Sequence, residues 1–258
     1  MFMLTLQQIS LLFIKSYIVD NVGLYSVGIF QSVLSISNNY LALFFSVIAT
    51  YSLPKLSTLD NNKDKIIEIN HILKLVILIY TPLIVLLYIF RVYFILILYS
   101  EDFLPNNQLL FYQLSGDYFR ALSWIFGLWL LPNLKIKQWL IFDLFNSVCI
   151  TIVSVILFRI YNSIEVFSLA YLITHFIQVI IQFFYIRFSL GFNFLFNNLN
   201  VLSISLTYLI VIFIISRMDV VLGYLIVLPS TLLWLVFVVR KTELESIKLL
   251  FVSYIRRN

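Results

Sequence analysis

The sequence predicts an all-α, polytopic integral membrane protein with about eight transmembrane helices, and three observations predict it. The first is composition: the chain has 258 residues, 62% of them hydrophobic and only 11% charged, with a mean hydropathy of +1.02. A soluble domain carries about 25% charged residues, and no soluble core of this size hides so much apolar surface. The bilayer must therefore solvate most of the chain. The second is segment length, because apolar runs of about 20 residues recur, the length that crosses the hydrocarbon core. The third is pattern: the alternating ten-residue segments of a membrane barrel are missing, so backbone hydrogen bonding in lipid demands helices.

In order, the spans are read at 1–18, 27–51, 72–98, 106–131, 138–158, 164–186, 199–216 and 220–239. The first has no basic start and no small-residue cleavage site, so it reads as a span rather than a signal peptide. Lys15 lies near its outer end, placed either to snorkel to the interface or to face a cavity. The second sits in "VGIFQSVLSISNNYLALFFSVIATYSLPKLS", where Gln31, Ser35, Asn38, Ala42, Ser46 and Ala49 follow steps of 4, 3, 4, 4 and 3. That spacing draws one polar stripe along a helix. The fourth repeats it with Gln113, Gly116, Asp117, Arg120 and Gly127. The fifth does so with Asp143, Ser147, Thr151 and Ser154, and the sixth with Ser168, Tyr171, His175, Gln178 and Gln182. Cys149, the single cysteine, lies in an apolar run and reads as a packing residue. The longest loop, from Lys55 to His71, is expected to be part helix at the interface. From Arg240 the tail "RKTELESIKLLFVSYIRRN" spaces Leu244, Ile247, Leu250, Phe251 and Tyr254 as an amphipathic helix on the inner leaflet, with a frayed polar tail as the alternative.

Charge orients these spans. With Met1 inside, the cytoplasmic segments hold Lys55, Lys63, Lys65, Lys74, Lys135, Lys137, Arg187, Arg240, Lys241, Lys248, Arg256 and Arg257. The outer loops hold Arg91, Arg159 and Arg217, while Lys15 and Arg120 fall within spans. Twelve against three favours both termini in the cytoplasm. The net charge of +5 thus records membrane orientation and does not signal nucleic acid.

One polar stripe is explained by helix packing; four imply a shared hydrophilic cavity. Arg120 within a span is costly unless compensated. It forms either an internal ion pair with Asp117 three residues earlier or a donor set for an anionic ligand, with Asp117 orienting it or taking a proton. His175 reads first as a hydrogen-bonded core histidine and second as a proton carrier. The chain has no Walker loop, HExxH, paired cysteines or nucleophile elbow. No catalytic residue, cofactor or metal site is predicted.

The quoted second-span stretch, together with "LYSEDFLPNNQLLFYQLSGDYFRALSW", resembles the lipid-linked oligosaccharide flippases of the O-antigen and lipid III type. These belong to the multidrug/oligosaccharidyl-lipid/polysaccharide exporter superfamily. The resemblance covers about residues 3–188 and rests on Gly28, Phe30 and Gln31 in a G-x-x-Q step, Leu53-Pro54 closing the span, and Gly116-Asp117 followed by a basic residue at Arg120. A basic residue, usually arginine, stands in that family where this chain has Lys15, which lacks arginine's bidentate fork.

The resemblance implies half of a two-lobe transporter: a six-helix C-terminal-type lobe at 1–188, two additional spans at 189–240 and a cytoplasmic tail at 241–258. It implies an N-terminal lobe or second chain as partner, because repeats build such transporters around a site between halves. It further implies that undecaprenyl-pyrophosphate-linked glycan is flipped across the bacterial inner membrane by alternating access. The pathway partners would be a polysaccharide polymerase and glycosyltransferases. Lys15, Gln31, Asn38, Asp117, Arg120 and His175 are then the candidate cavity residues. Asp117 and Asp143 are the candidates for coupling to a proton or sodium gradient. The competing readings are a cation-coupled multidrug-type exporter of the same fold, whose cavity should be acidic, and a membrane polysaccharide polymerase, which should carry a long outer loop.

Overall fold

A computed structural model describes residues 2–103, 107–131, 133–189, 191–218, 220–238 and 248. The tail expected at 241–258 lies outside the described residues apart from Lys248. Among the described residues there is no strand. The helices are α1 (Phe2–Val22), α2 (Leu24–Ser57), α3 (Asn62–Ile89), α4 (Arg91–Leu98), α5 (Asn107–Leu130), α6 (Ile136–Tyr161), α7 (Glu165–Phe184), α8 (Phe196–Met218) and α9 (Val220–Val238). Each expected span has a helix. Five helical segments, within α2, α3, α6, α7 and α8, are long and apolar enough to cross a membrane by length and composition. The helix α5 falls short because Gln113, Asp117 and Arg120 lower its hydropathy.

One boundary differs from expectation. The span expected at 72–98 is broken at Phe90, which leaves helical geometry at φ −84 and ψ 12. There the Arg91 side chain folds back to donate to the Tyr88 carbonyl and lies over the Tyr88 ring. The stretch 62–71, expected to be part helix at the interface, is helical and continuous with the rest of α3. Asn61 starts that helix by accepting a hydrogen bond from the Lys63 amide at 3.0 Å. Gly23, at φ +104, separates α1 from α2, a conformation that only glycine adopts without strain. Asn162, at φ 48, ends α6 in the left-handed region and lets the chain reverse into α7.

The chain forms two compact units. The first comprises 1–40 and 93–190, the second 41–92 and 191–258. In the first unit α7 packs against both α5 and α6, and α1 packs against α6. Phe167 lies between Phe30 and Phe158, with ring centroids 5.9 and 5.5 Å away. Ser10 donates to the Ser147 carbonyl at 2.8 Å and fixes α1 on α6.

In the second unit α3, α8 and α9 pack together, so the two additional spans fold with α3. Asn70, fully buried, is the knot. Its amide nitrogen donates to the carbonyls of Ile66 and Asn193. Its side-chain oxygen accepts from the Leu195 amide and from Asn198, which also donates to the Asn70 carbonyl at 2.6 Å. Trp234 donates to the Leu78 carbonyl at 3.3 Å and stacks on Tyr208. Where the α2 end meets α3, Lys55 pairs with the buried Glu68 at 2.7 Å.

Candidate functional site

In the first unit α2 buries Ile29, Phe30, Val33 and Ser37 and leaves Gln31, Asn38 and Asn39 exposed. Ser37 falls off the stripe drawn from the sequence, yet it reaches the centre of the site. Asp117, fully buried on α5, accepts three hydroxyl hydrogen bonds: from Ser37 at 2.8 Å, Tyr40 at 2.5 Å and Tyr171 at 2.7 Å. Donors from two helices, α2 and α7, thus converge on one carboxylate, the arrangement that makes a buried charge tolerable. Ser37 also accepts from Gln113, whose own side-chain oxygen accepts from Ser168 at 3.2 Å. A file of side-chain hydrogen bonds therefore joins α2, α5 and α7.

Arg120 lies half-buried one turn from Asp117. It donates to Asn38 Oδ1 at 3.0 Å and to the Tyr171 hydroxyl at 3.3 Å. The Tyr171 oxygen thereby bridges cation and carboxylate, donating to one and accepting from the other. The alternatives of ion pair and ligand donor merge in a three-membered relay, Asp117–Tyr171–Arg120, that aims the guanidinium at exposed Asn38. The Arg120 charge also acts on Asp143 and His175.

The structure therefore brings together Asn38, Asp117, Arg120 and His175, whose ring stands 4.4 Å from that of Tyr171. Gln31 is exposed and bonds to Ser35 on its own helix at 3.1 Å. Asp143 accepts from Gln7 of α1 at 2.7 Å. Lys15 is half-buried and makes no hydrogen bond or ion pair among the described residues. Among those residues no group of three or more His, Cys, Asp or Glu side chains is placed to hold a metal.

The stripes of α5 and α7 are buried within the unit. Gln113, Asp117, Ser168, Tyr171, His175, Gln178 and Gln182 are all buried. Polarity in a span has two sinks, water or another polar helix, and for Gln113, Asp117, Ser168 and Tyr171 the second is seen. The α2 stripe alone lies on the open side. Ser37 and Tyr40 escaped the sequence reading because the stripe pattern favoured the other face of α2. Their spacing of three, opposite Gln113 and Asp117 at a spacing of four, is the signal that would have found them.

Comparison with known proteins fits this geometry. Residues 2–107 match the polysaccharide biosynthesis protein family. The lipid III flippase of Escherichia coli (strain K12) is 29% identical over 115 residues, 45% of this chain and 28% of that protein. The lipid III flippase of Shigella flexneri gives the same figures. Among solved structures, the lipid II flippase MurJ in an inward closed conformation superposes with a TM-score of 0.68 at 19% identity, over 90% of this chain and 51% of that one. The chain thus spans about half the length of that solved structure and under a third of the lipid III flippases. The resemblance read from the sequence to the oligosaccharide flippases of the exporter superfamily is borne out, and so is the all-helical transporter fold.

Proposed function

We propose that this chain forms one lobe of an alternating-access flippase that turns undecaprenyl-pyrophosphate-linked oligosaccharide across the bacterial inner membrane for surface polysaccharide synthesis. On this reading it is a transporter and not an enzyme. The observation that carries it is Arg120, held by Tyr171 and directed at exposed Asn38 on the polar edge of α2. A guanidinium offers fork-shaped donors that match a pyrophosphate. The neighbouring Asn38 and Gln31 amides both donate and accept, which suits sugar hydroxyls. Lys15 supplies a second cation without a competing partner among the described residues. A complementary lobe or second chain closes the site over the α2 edge, and polymerase and glycosyltransferases act before and after it. Asp117 and Asp143 are the groups through which a proton or sodium gradient drives the cycle. The inward bias of basic residues supports a topology with both termini in the cytoplasm.

The test is fluorescently labelled undecaprenyl-pyrophosphate oligosaccharide in vesicles holding the chain with its complementary lobe. Arg120→Ala slows flipping at least tenfold, and Arg120→Lys recovers part of the rate. Equal rates in wild type, Arg120→Ala and Lys15→Ala would defeat the residue assignment. Reporter fusions that place either terminus outside would defeat the topology.

A further inference from the structure

The face of α7 that packs on α5 and α6 carries more polar atoms than the protein satisfies. His175, Gln178 and Gln182 are 5%, 5% and 2% exposed. Yet His175 Nδ1, Gln178 Oε1 and Gln182 Oε1 have no hydrogen-bond partner among the described residues, and neither has Asn146 Oδ1 on α6. Asn146 Nδ2 lies 3.4 Å from His175 Nε2. An amide nitrogen only donates, so in this arrangement Nε2 accepts and the ring proton sits on Nδ1, on the side of Gln178. Three such atoms on α7 and one on α6 thus lack a partner at hydrogen-bond distance, and each costs about 1–3 kcal/mol if left dry. The set is self-consistent with water, which accepts from Nδ1 and donates to the carbonyl oxygens. Positions 175 to 182 cover about 10 Å along the helix at 1.5 Å per residue.

We infer that this seam holds a file of internal waters which gives the His175 ring a hydrogen-bonded route for protons. The charged and titratable groups that act on the ring are Arg120 on α5 and Tyr171 on α7, whose ring centroid lies 4.4 Å away. A proton that arrives along the file is relayed by the two ring nitrogens. Its use in the cycle rests on the ion-coupled flippase reading; its existence does not.

The experiment is exchange of the His175 Nδ1 proton into D2O, followed by NMR on ¹⁵N-histidine protein in nanodiscs without lipid substrate. His71→Gln assigns the second of the two histidines. Exchange within minutes in the wild type is expected, slowed at least tenfold in Gln178→Leu/Gln182→Leu. Gln182→Met is the milder variant should the double one fold poorly. A wild-type Nδ1 proton protected for hours, as buried α7 amides are, would overturn the inference. An unchanged rate in the leucine variant would do so too, and so would a raised melting temperature there, which marks a dry seam. Because no substrate is present, failure here leaves the flippase reading standing, and failure of flipping leaves this result standing.

Discussion

Tyr171 holds the site together through a single oxygen. It donates to Asp117 at 2.7 Å and accepts from Arg120 at 3.3 Å. Tyr171→Phe keeps the ring packing and removes the bridge. The expected loss is about 1–3 kcal/mol, the cost of an unmade buried hydrogen bond, read as a lower denaturation midpoint in detergent. A purely packed tyrosine would show no loss. The close approach of α5 and α7 at the same level depends on Gly116, where a Cβ would overlap the Tyr171 ring and stand 3.1 Å from the Leu172 Cα. Backbone does not yield as a side-chain tip does. Gly116→Ala is therefore expected to cost about 1–3 kcal/mol, and to weaken anion binding in proportion as Arg120 loses its aim. Wild-type stability in that variant would show that the helices can separate freely.

Helices were legible in the sequence because the bilayer imposes a single length and a single way of satisfying the backbone. The partners of their polar side chains were not. A stripe on α7 reads the same whether it meets water or Gln113 of α5, since periodicity reports a face and not its neighbour. Asp117 and Arg120 stood out because charge in a span is rare, whereas Ser37 and Tyr40 are common residues on an otherwise apolar face. The break at Phe90 and the Asn70 knot were illegible for a similar reason, as each depends on a carbonyl or side chain supplied by tertiary structure. Four of the knot's five hydrogen bonds join α3 to Asn193 and Leu195 before α8 and to Asn198 within it, and the fifth stays in α3. Asn70→Leu should cost about 2–4 kcal/mol. It should also speed hydrogen exchange at the Leu195 amide at least tenfold while α5 and α7 keep their protection. Uniform loss of protection would mean that the two compact units unfold together.

At the scale of the molecule, outward-facing side chains are of two chemical kinds, and the difference decides what surrounds them. Leu12 on α1 is 63% exposed and Ile97 on α4 is 78% exposed, as acyl chains require. Gln31 and Asn38 on α2 are exposed as well, yet hydrocarbon offers their amides no partner, at several kilocalories per group. Exposure alone cannot separate these environments; reactivity toward a reagent confined to water can. In native membranes, Gln31→Cys and Asn38→Cys should react with a charged, membrane-impermeant maleimide at least ten times faster than Leu12→Cys, because only the thiolate reacts and only water sustains it. Cys149 is first replaced by alanine, since it is the single native thiol. Saturating undecaprenyl-pyrophosphate glycan should protect Asn38→Cys, beside Arg120, more than Gln31→Cys, two turns away on α2. Equal, slow labelling of all three positions would place the polar edge of α2 in lipid, and Arg120 would then have no aqueous route by which to meet a phosphate.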